Sequence, residues 1–173
     1  MAINKFFDEN TELQTLTFSL RIIRHQLQNF YSSLKDGVLT VSCPAGTDFS
    51  APAVQVLMGK IVTASLRAEA KRVLPVRLKT LADEHGFVFK EVKIKNMRSR
   101  WGSCSSRKNI NLSLRLMMLP QHLVDYVLLH ELCHTVEMNH GVRFWSLMDK
   151  VTGNNSKRLR KEMKVETLRA TAL

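Results

Sequence analysis

The sequence predicts an α+β protein in which a small, mostly antiparallel sheet packs against several helices. Apolar and polar residues alternate in a first part (about 13–47), apolar residues recur at helical spacing in a second (about 53–86), and both patterns occur in a third (about 96–152). A basic helix is predicted last (about 156–169). With 173 residues and 45% hydrophobic content, we expect one domain over residues 1–173 with a substantial core.

The first strands are indicated by alternation and by one turn. Residues 13–31 alternate between apolar and polar types, as is typical of a half-buried strand. Two further strand-prone runs, 30–34 and 38–41, flank the dipeptide Asp36-Gly37. Asp-Gly favours a two-residue hairpin turn, so we predict a β-hairpin at this point.

A helical region follows a loop that is marked by proline and glycine. Apolar residues are spaced as on a helix over residues 53–72. We predict that Pro75 begins a second helix, because proline suits the first turn, and that Gly86 ends it. Residues 88–94 alternate again and are predicted to form a strand.

A loop, a strand and a helix are predicted over residues 96–136. Residues 96–106 are mostly polar and small and are predicted to form a loop, although they include Trp101. Residues 110–114 alternate and are predicted to form a strand. Pro120 then opens a strongly apolar helix that is predicted to extend to Val136.

Two shorter helices are predicted near the C-terminus. The first covers residues 144–151 and ends at Gly153. The second, over residues 156–169, is basic and amphipathic. Its buried stripe is predicted to consist of Leu159, Met163 and Leu168.

A metal site is predicted within the apolar helix. Residues 130–134 read His-Glu-Leu-Cys-His, so His130 and His134 are one helical turn apart, about 6 Å along the axis. Two imidazoles at this spacing can bind one zinc ion, and Glu131 between them would point toward a water molecule that zinc activates. Two histidines and a glutamate are costly to bury on such an apolar helix without a metal.

A third metal ligand is required, and His140 is the favoured candidate. It reaches the metal only if the helix ends or bends before it, and the residues on either side of His140 tolerate such a turn. A downstream carboxylate, Glu162 or Glu166, is the alternative. Glu137 lies about 10 Å along the helix axis from His130, so we expect it to support the site or face solvent.

The site residues also carry a family resemblance. In chain order they are Arg100-Trp101-Gly102-Ser103-Cys104, Ile110-Asn111-Leu112, Pro120, Asp125-Tyr126-Val127, His130-Glu131-Leu132-Cys133-His134, Asn139-His140-Gly141 and Phe144-Trp145. Together they resemble the YgjP-like metallopeptidase domain family, which is related to the WLM and SprT-like zinc proteases. The resemblance implies a zincin-like, minimal gluzincin-type fold, one zinc ion bound by three histidines (His130, His134 and His140), and Glu131 as the catalytic base. It departs from the family pattern at residues 113–116.

Substrate contacts are predicted from this likeness and from charge. In zincins the substrate backbone pairs with an edge strand beside the metal helix, and the candidate strand is 110–114, with Ile110, Asn111 and Leu112 as contacts. An ordinary half-buried strand is the alternative. Three arginines, Arg98, Arg100 and Arg143, are candidates to bind a carboxylate or phosphate, or to anchor loops.

The aromatic pair Phe144-Trp145 is predicted to belong to the core. Cys133 faces away from the two histidines at helical spacing and is predicted to serve packing. Cys104 is either a neighbour of the metal or a small residue in a tight loop.

Net charge, hydropathy and cysteine content indicate which partners and which cellular compartment to expect. The net charge of +11 and a pI near 10.0 favour an anionic partner, such as a nucleotide or nucleic acid at the basic surface, although a solvated basic face is the plain alternative. No apolar stretch approaches about 18 residues, and the N-terminal segment does not resemble a secretory signal, so no membrane contact is expected. Three cysteines without metal-type spacing indicate reduced thiols in the cytoplasm.

Three functions remain open. The first is a zinc-dependent hydrolase, a metallopeptidase that acts on a peptide or protein substrate. The second is a metal-dependent nucleoside triphosphate pyrophosphatase that uses the same site with the arginines. The third is a nucleic-acid-associated protein in which zinc is only a scaffold.

Overall fold

The computed structural model describes residues 6–171. The strands are β1 (Ser19–His25), β2 (Tyr31–Lys35), β3 (Val38–Pro44), β4 (Glu91–Lys95), β5 (Gly102–Cys104) and β6 (Asn109–Ser113). The helices are α1 (Pro52–His85), α2 (Gln121–Cys133), α3 (Val142–Val151) and α4 (Ser156–Thr171), with a short 3-10 helix, Leu114–Met118, before α2. Residues 1–5 and 172–173 lie outside the described residues. The predicted domain includes both ranges, and the N-terminal segment discussed above includes the first.

The strands form two mixed sheets, which confirms the α+β class and corrects the expectation of one mostly antiparallel sheet. The strand orders are β1-β3-β2 and β4-β6-β5. In each sheet the central strand pairs with one parallel and one antiparallel neighbour. The sequence pattern did not reveal the parallel pairs, because alternation is the same in both kinds of pairing.

The predicted hairpin is confirmed. Asp36 and Gly37 connect β2 to β3, and both have positive φ angles, 50° and 73°. These angles are those of the turn that matches the twist of two antiparallel strands. β1 starts later than the alternation predicts, because the Thr15 hydroxyl accepts from the Phe18 backbone N–H and closes a turn before the strand.

The break predicted at Pro75 is wrong, since α1 runs continuously from Pro52 to His85. Proline removes one backbone donor and crowds the preceding turn. A single buried stripe continues on both sides of it, with Ala70, Leu74 and Leu78 each inaccessible to solvent. Burial of this stripe holds the helix together across the proline. Gly86 ends the helix as predicted, with φ of 72°.

The second sheet differs from the prediction in one strand. The predicted loop 96–106 contains β5, which pairs with β6 in antiparallel fashion. β6 is therefore the central strand, with β4 on its other side. Its side chains Ile110 and Leu112 are 1% and 0% exposed and belong to the core.

The helices after this sheet position the site. α2 ends at Cys133, three residues before the predicted end at Val136, and His134 caps it. Leu159 and Met163 of α4 are buried as predicted. Leu168 is 60% exposed, so its assignment to the buried stripe is wrong. None of the helices in residues 6–171 combines the length and the apolar character that a membrane span requires.

Candidate active site

Three imidazoles meet at the C-terminal end of α2. The Nε2 atoms of His130 and His134 are 3.2 Å apart, those of His134 and His140 are 3.1 Å apart, and those of His140 and His130 are 3.0 Å apart. Among residues 6–168 these side chains form the one histidine, cysteine and carboxylate group close enough to share an ion. The structure thus brings the three predicted ligand residues together.

The early end of α2 makes this convergence possible. After His134 the backbone N–H groups of Val136 and Glu137 both bond to the Cys133 carbonyl, so the chain leaves the helix in a tight turn. A second turn, from the Gly141 N–H to the Asn139 carbonyl, precedes α3. His140 lies between the two turns and is directed back toward the helix.

A hydrogen bond fixes the tautomer of His134, so that its Nε2 atom faces the centre of the group without a proton. His134 Nδ1 lies 3.1 Å from the Glu137 carbonyl oxygen, and only an Nδ1–H can donate to that oxygen. The Nε2 atom of a neutral His134 is then a free acceptor, as a metal ligand must be. Glu137 therefore supports the site through its backbone, in agreement with the expectation that it is not a ligand.

Burial favours the neutral form of His130 and His134. The pKa of His130 falls to about 3, chiefly because its ring is desolvated and secondly because His134 and His140 lie beside it. The pKa of His134 is also lowered, mainly by burial, although the hydrogen bond to the Glu137 carbonyl acts in the opposite direction. Neutral imidazole is the form that binds metal.

The donor set fits a tetrahedral divalent ion. Zinc with nitrogen ligands at 2.0–2.1 Å places neighbouring ligand atoms about 3.3 Å apart. The observed separations of 3.0, 3.1 and 3.2 Å are close to this value. When all three Nε2 atoms are unprotonated, their lone pairs repel one another at this distance, and a cation between them removes the repulsion. The three histidines therefore suit a zinc ion with a fourth position left open.

Aromatic rings support the histidines from α3. The Phe144 ring is fully buried and stacks on His134 with ring centroids 4.5 Å apart. It also contacts His130 and His140 with its edge or face, at 4.9 and 4.7 Å. Trp145 stacks on His140 at 5.8 Å and is only partly buried. Phe144 is a core residue as predicted, whereas Trp145 also borders the open side of the site.

Glu131 lies beside the histidines in an apolar setting. Its side chain is 5% exposed, and its Oε2 atom has no hydrogen-bond partner among the described residues. Desolvation raises the pKa of its carboxyl group to about 8, and the nearby Arg100 acts in the opposite direction. A buried carboxylate without a partner is costly, so its place is explained by a cation or a proton donor that arrives from the cleft.

Gly102 in β5 makes room for this carboxylate. A Cβ atom on Gly102 would lie 2.6 Å from Glu131 Oε1 and 2.8 Å from its Cδ. Any other residue would force the two elements apart or displace the Glu131 side chain. The sequence contains the glycine, but without the strand it gives no sign that Gly102 touches Glu131.

An open cleft of about 760 Å³ leads to Glu131, His130 and His140. One wall comes from β5 and the residues before it, and the other comes from α4. Trp101 joins the two walls, because its Nε1–H donates to the Thr167 hydroxyl at 2.9 Å. The lining residues beyond those already named are Tyr126, Val127, Trp145, Lys157, Arg160, Lys161, Met163 and Lys164. The sequence does not indicate that α4 forms a wall of the cleft, because tertiary packing decides which surface its basic face meets.

Two of the three predicted arginines line a common pocket. Arg100 lines the cleft and also a small neighbouring pocket, which Arg98 and Arg115 line as well. Arg143 is exposed at the start of α3 and is absent from the described lining of both.

The strand predicted to bind substrate also requires correction. β6 is central rather than an edge, and Ile110 and Leu112 are buried. Asn111 donates to the Ser103 hydroxyl within the sheet. Because both sides of β6 are already paired, its backbone has no free edge to offer. β5 is the edge strand on the side of the cleft.

The remaining candidate ligands have other environments. The Glu162 carboxylate lies 2.6 Å from His122 Nε2, so it is paired away from the three histidines. Cys104 is half-buried in β5, and burial, with Glu131 as a smaller cause, raises the pKa of its thiol to about 11. Among the described residues, Cys104 is not part of the group of side chains close enough to share an ion. Cys133 is fully buried in the core, as predicted.

A family match agrees with the geometry of the site. Residues 8–166 match the family model described as YgjP-like, metallopeptidase domain. Two solved structures are similar, both metallopeptidase zymogens: abylysin of Pyrococcus abyssi and jannalysin of Methanocaldococcus jannaschii. The first has a TM-score of 0.49 and 21% identity, over 54% of this chain and 94% of that one. The second has a TM-score of 0.46 and 21% identity, over 56% and 94%. No curated protein matches the chain.

Proposed function

The chain belongs to the YgjP-like metallopeptidase domain family, and from this premise we propose that it hydrolyses peptide bonds with one zinc ion and with Glu131 as general base. Family membership confirms the predicted enzyme class, a metallohydrolase, and implies a divalent metal. The assignment of zinc, of a single ion and of each residue's role is our proposal. The observation that carries it is the group of three Nε2 atoms 3.0–3.2 Å apart beside the buried Glu131.

The proposed ligands are His130, His134 and His140. A zinc ion bound there supplies a Lewis acid that polarises a carbonyl oxygen and makes water more acidic. Glu131 accepts a proton from the water that attacks the scissile carbonyl carbon, and then donates it to the nitrogen of the leaving amine. The apolar surroundings of Glu131 raise its proton affinity, which favours the first transfer, the acceptance of the proton from water.

β5 is the proposed docking strand for the substrate backbone. The Trp101 carbonyl accepts from the Ser113 N–H, and the Ser105 N–H donates to the Asn109 carbonyl. In an antiparallel ladder the paired residues alternate, so the backbone groups of Gly102 and Cys104 point away from β6. An extended peptide could bond to these groups and pass beside Glu131.

The nucleotide alternative is not supported by the three arginines from which it was predicted. It requires several arginines around the metal, and of the three candidates only Arg100 lines the cleft among the described residues. The comparisons give no support for a nucleic-acid partner. We therefore retain a peptide or protein as the substrate.

Two broader proposals concern the whole chain. We propose that residues 1–173 form one domain, supported by a family match over residues 8–166 and by one cluster of buried apolar side chains drawn from both sheets and all four helices. We propose a reducing compartment, the cytoplasm, supported by three cysteines that remain free thiols.

Replacement of the proposed base tests the function. Glu131→Gln keeps the size of the side chain but removes its basicity, so kcat/KM toward a mixture of unstructured synthetic peptides should fall about 10²–10⁴-fold. Zinc content, measured by elemental analysis, should stay the same as in the unmodified protein. Undiminished peptide cleavage by a zinc-loaded Glu131→Gln variant would remove Glu131 from the mechanism.

A further inference from the structure

We propose that the active-site cleft selects peptide segments that carry carboxylates, which bind to the row of cations on α4 opposite Glu131. This inference rests on the proposed peptidase function and adds a substrate class to it. It concerns the basic face of α4, for which the sequence left two interpretations open, an anionic partner and a solvated face. In the structure, three lysines of this face line one wall of the cleft.

The charge of the cleft lining is strongly one-sided. Glu131 is the one acidic side chain among the described lining residues. The cations are Arg100, Lys157, Arg160, Lys161 and Lys164. Arg100 lies on the β5 side and the others on α4, so a bound chain would have positive charge on both sides. A cleft lined by one sign of charge concentrates ligands of the opposite sign.

The orientation of α4 explains why these lysines face the cleft. Leu159 and Met163 are 8% and 6% exposed and fix the face of α4 that packs on the core. The acidic Glu162 is occupied by His122 and Arg158. It therefore leaves the lysine face of the helix without that neutralising partner.

The row of lysines has a length that suits an extended peptide. Lys157, Lys161 and Lys164 are exposed and recur at spacings of four and three residues, which places them on one side of a helix. Seven residues of helix span about 10 Å. An extended peptide advances about 3.3 Å per residue, so the row covers about three residues of a bound substrate.

Arg160 connects this row to the metal ligands. Its guanidinium lies 4.4 Å from the centre of the Trp145 ring, and Trp145 in turn stacks on His140. The stacking holds one positive charge close to the proposed position of the scissile bond. A carboxylate of the substrate near that bond would therefore meet Arg160 first.

The cleft is assigned to a peptide because it leads to Glu131, His130 and His140, which belong to the proposed peptidase site. Aromatic and aliphatic side chains share its lining with the cations, among them Trp101, Tyr126 and Val127. A mixed apolar and cationic surface matches a peptide with both apolar and acidic side chains. A volume of about 760 Å³ is that of a pocket for a ligand of a few residues.

Binding of blocked peptides to the zinc-loaded, full-length Glu131→Gln protein tests the inference without turnover. The probes are labelled decapeptides, acetylated and amidated at their ends, that carry either glutamates or glutamines at the same positions. The glutamate peptide should bind about tenfold more tightly, since several exposed charge pairs each contribute modestly. The preference should shrink as ionic strength rises.

Two charge-matched variants locate the effect. The triple substitution Lys157→Gln, Lys161→Gln and Lys164→Gln should bring the two affinities close to each other. The control triple, Lys35→Gln, Lys60→Gln and Lys71→Gln, removes the same net charge from exposed sites outside the described cleft lining and should keep the preference. Equal affinities for the two peptides, or the same preference in both triple variants, would overturn the inference.

Two further arms identify the source of the carboxylate. A glutamine peptide with a free C-terminal carboxylate that binds as tightly as the glutamate peptide would assign the cations to a chain terminus. Weaker binding would assign them to acidic side chains. A single-stranded oligonucleotide that displaces the label at a lower concentration than the glutamate peptide does would overturn the peptide assignment.

Peptide cleavage by the unmodified protein is measured separately. Acid-selective binding without any cleavage would contradict the proposed peptidase function and leave the charge selectivity in place. Cleavage that ignores acidic residues, together with equal binding, would contradict only the selectivity.

Discussion

The two sheets share one strand order, but their edge strands have different neighbours. In the first sheet β2 is exposed at all five residues. In the second sheet β5 is half-buried and lies beside α2, which carries Glu131. The same topology thus gives a plain edge in one place and one wall of a candidate active site in the other.

The glycines of the two sheets show what creates this difference. Gly37 is required for its backbone conformation, because its φ of 73° completes the turn between β2 and β3. Gly102 does not have a positive φ angle. Its lack of a side chain leaves the space that the Glu131 carboxylate occupies. The site therefore depends on a close approach between a strand and a helix, and strand order alone does not create it.

The largest effect is expected when a histidine of the proposed metal site, beside the second sheet, is replaced. His134→Ala removes one of the three proposed ligands, so the protein should lose its zinc and its peptide cleavage, and its thermal stability in excess zinc should fall. Elemental analysis and a thermal melt measure both effects. His25→Ala, at the end of β1 in the first sheet, is the matched control and should keep the metal. Full zinc occupancy in His134→Ala would break the comparison.

A smaller effect is expected at the strand–helix contact. Gly102→Ala places a methyl group against the Glu131 carboxylate, so the proposed base must shift, and kcat/KM should fall about 10²-fold. The free energy of unfolding should decrease by about 1–3 kcal/mol, as for other overpacked sites.

Gly46→Ala gives the control in the first half of the chain, because a Cβ there has no atom within 4 Å. It should leave peptide cleavage unchanged. If the two alanine variants had equal activity, the proposed close approach of Gly102 would have no functional role.

The smallest effect is expected at the hairpin. Gly37→Ala puts a side chain at a positive φ angle, which should cost about 1 kcal/mol of unfolding free energy. Zinc content and peptide cleavage should not change, because the turn belongs to the sheet without the site. Chemical denaturation and the peptide assay measure the two outcomes, and a loss of zinc would show that the sheets are coupled.

The parts of the protein that sequence reasoning predicted are those that depend on local spacing. The spacing of His130, His134 and His140 and the Asp36-Gly37 turn are properties of short segments. Residues a few positions apart carry enough information to place each of them. The convergence of the three histidines and the hairpin therefore agree with the expectations.

The parts that the sequence did not predict depend on contacts between distant segments. β5 has only three residues, and its pairing with β6 gives it a strand identity that its polar composition hides. The continuity of α1 across Pro75 comes from a buried stripe on either side of the proline. The basic face of α4 was visible, but which surface it meets is decided by tertiary packing.

The central claim is that three histidine nitrogens hold a divalent cation beside Glu131. A crystal grown with zinc, with anomalous diffraction recorded on both sides of the zinc absorption edge, tests it most directly. We expect one anomalous peak within about 2.0–2.1 Å of the Nε2 atoms of His130, His134 and His140. A fully occupied zinc peak elsewhere, with His140 directed away from the other two rings, would contradict the account.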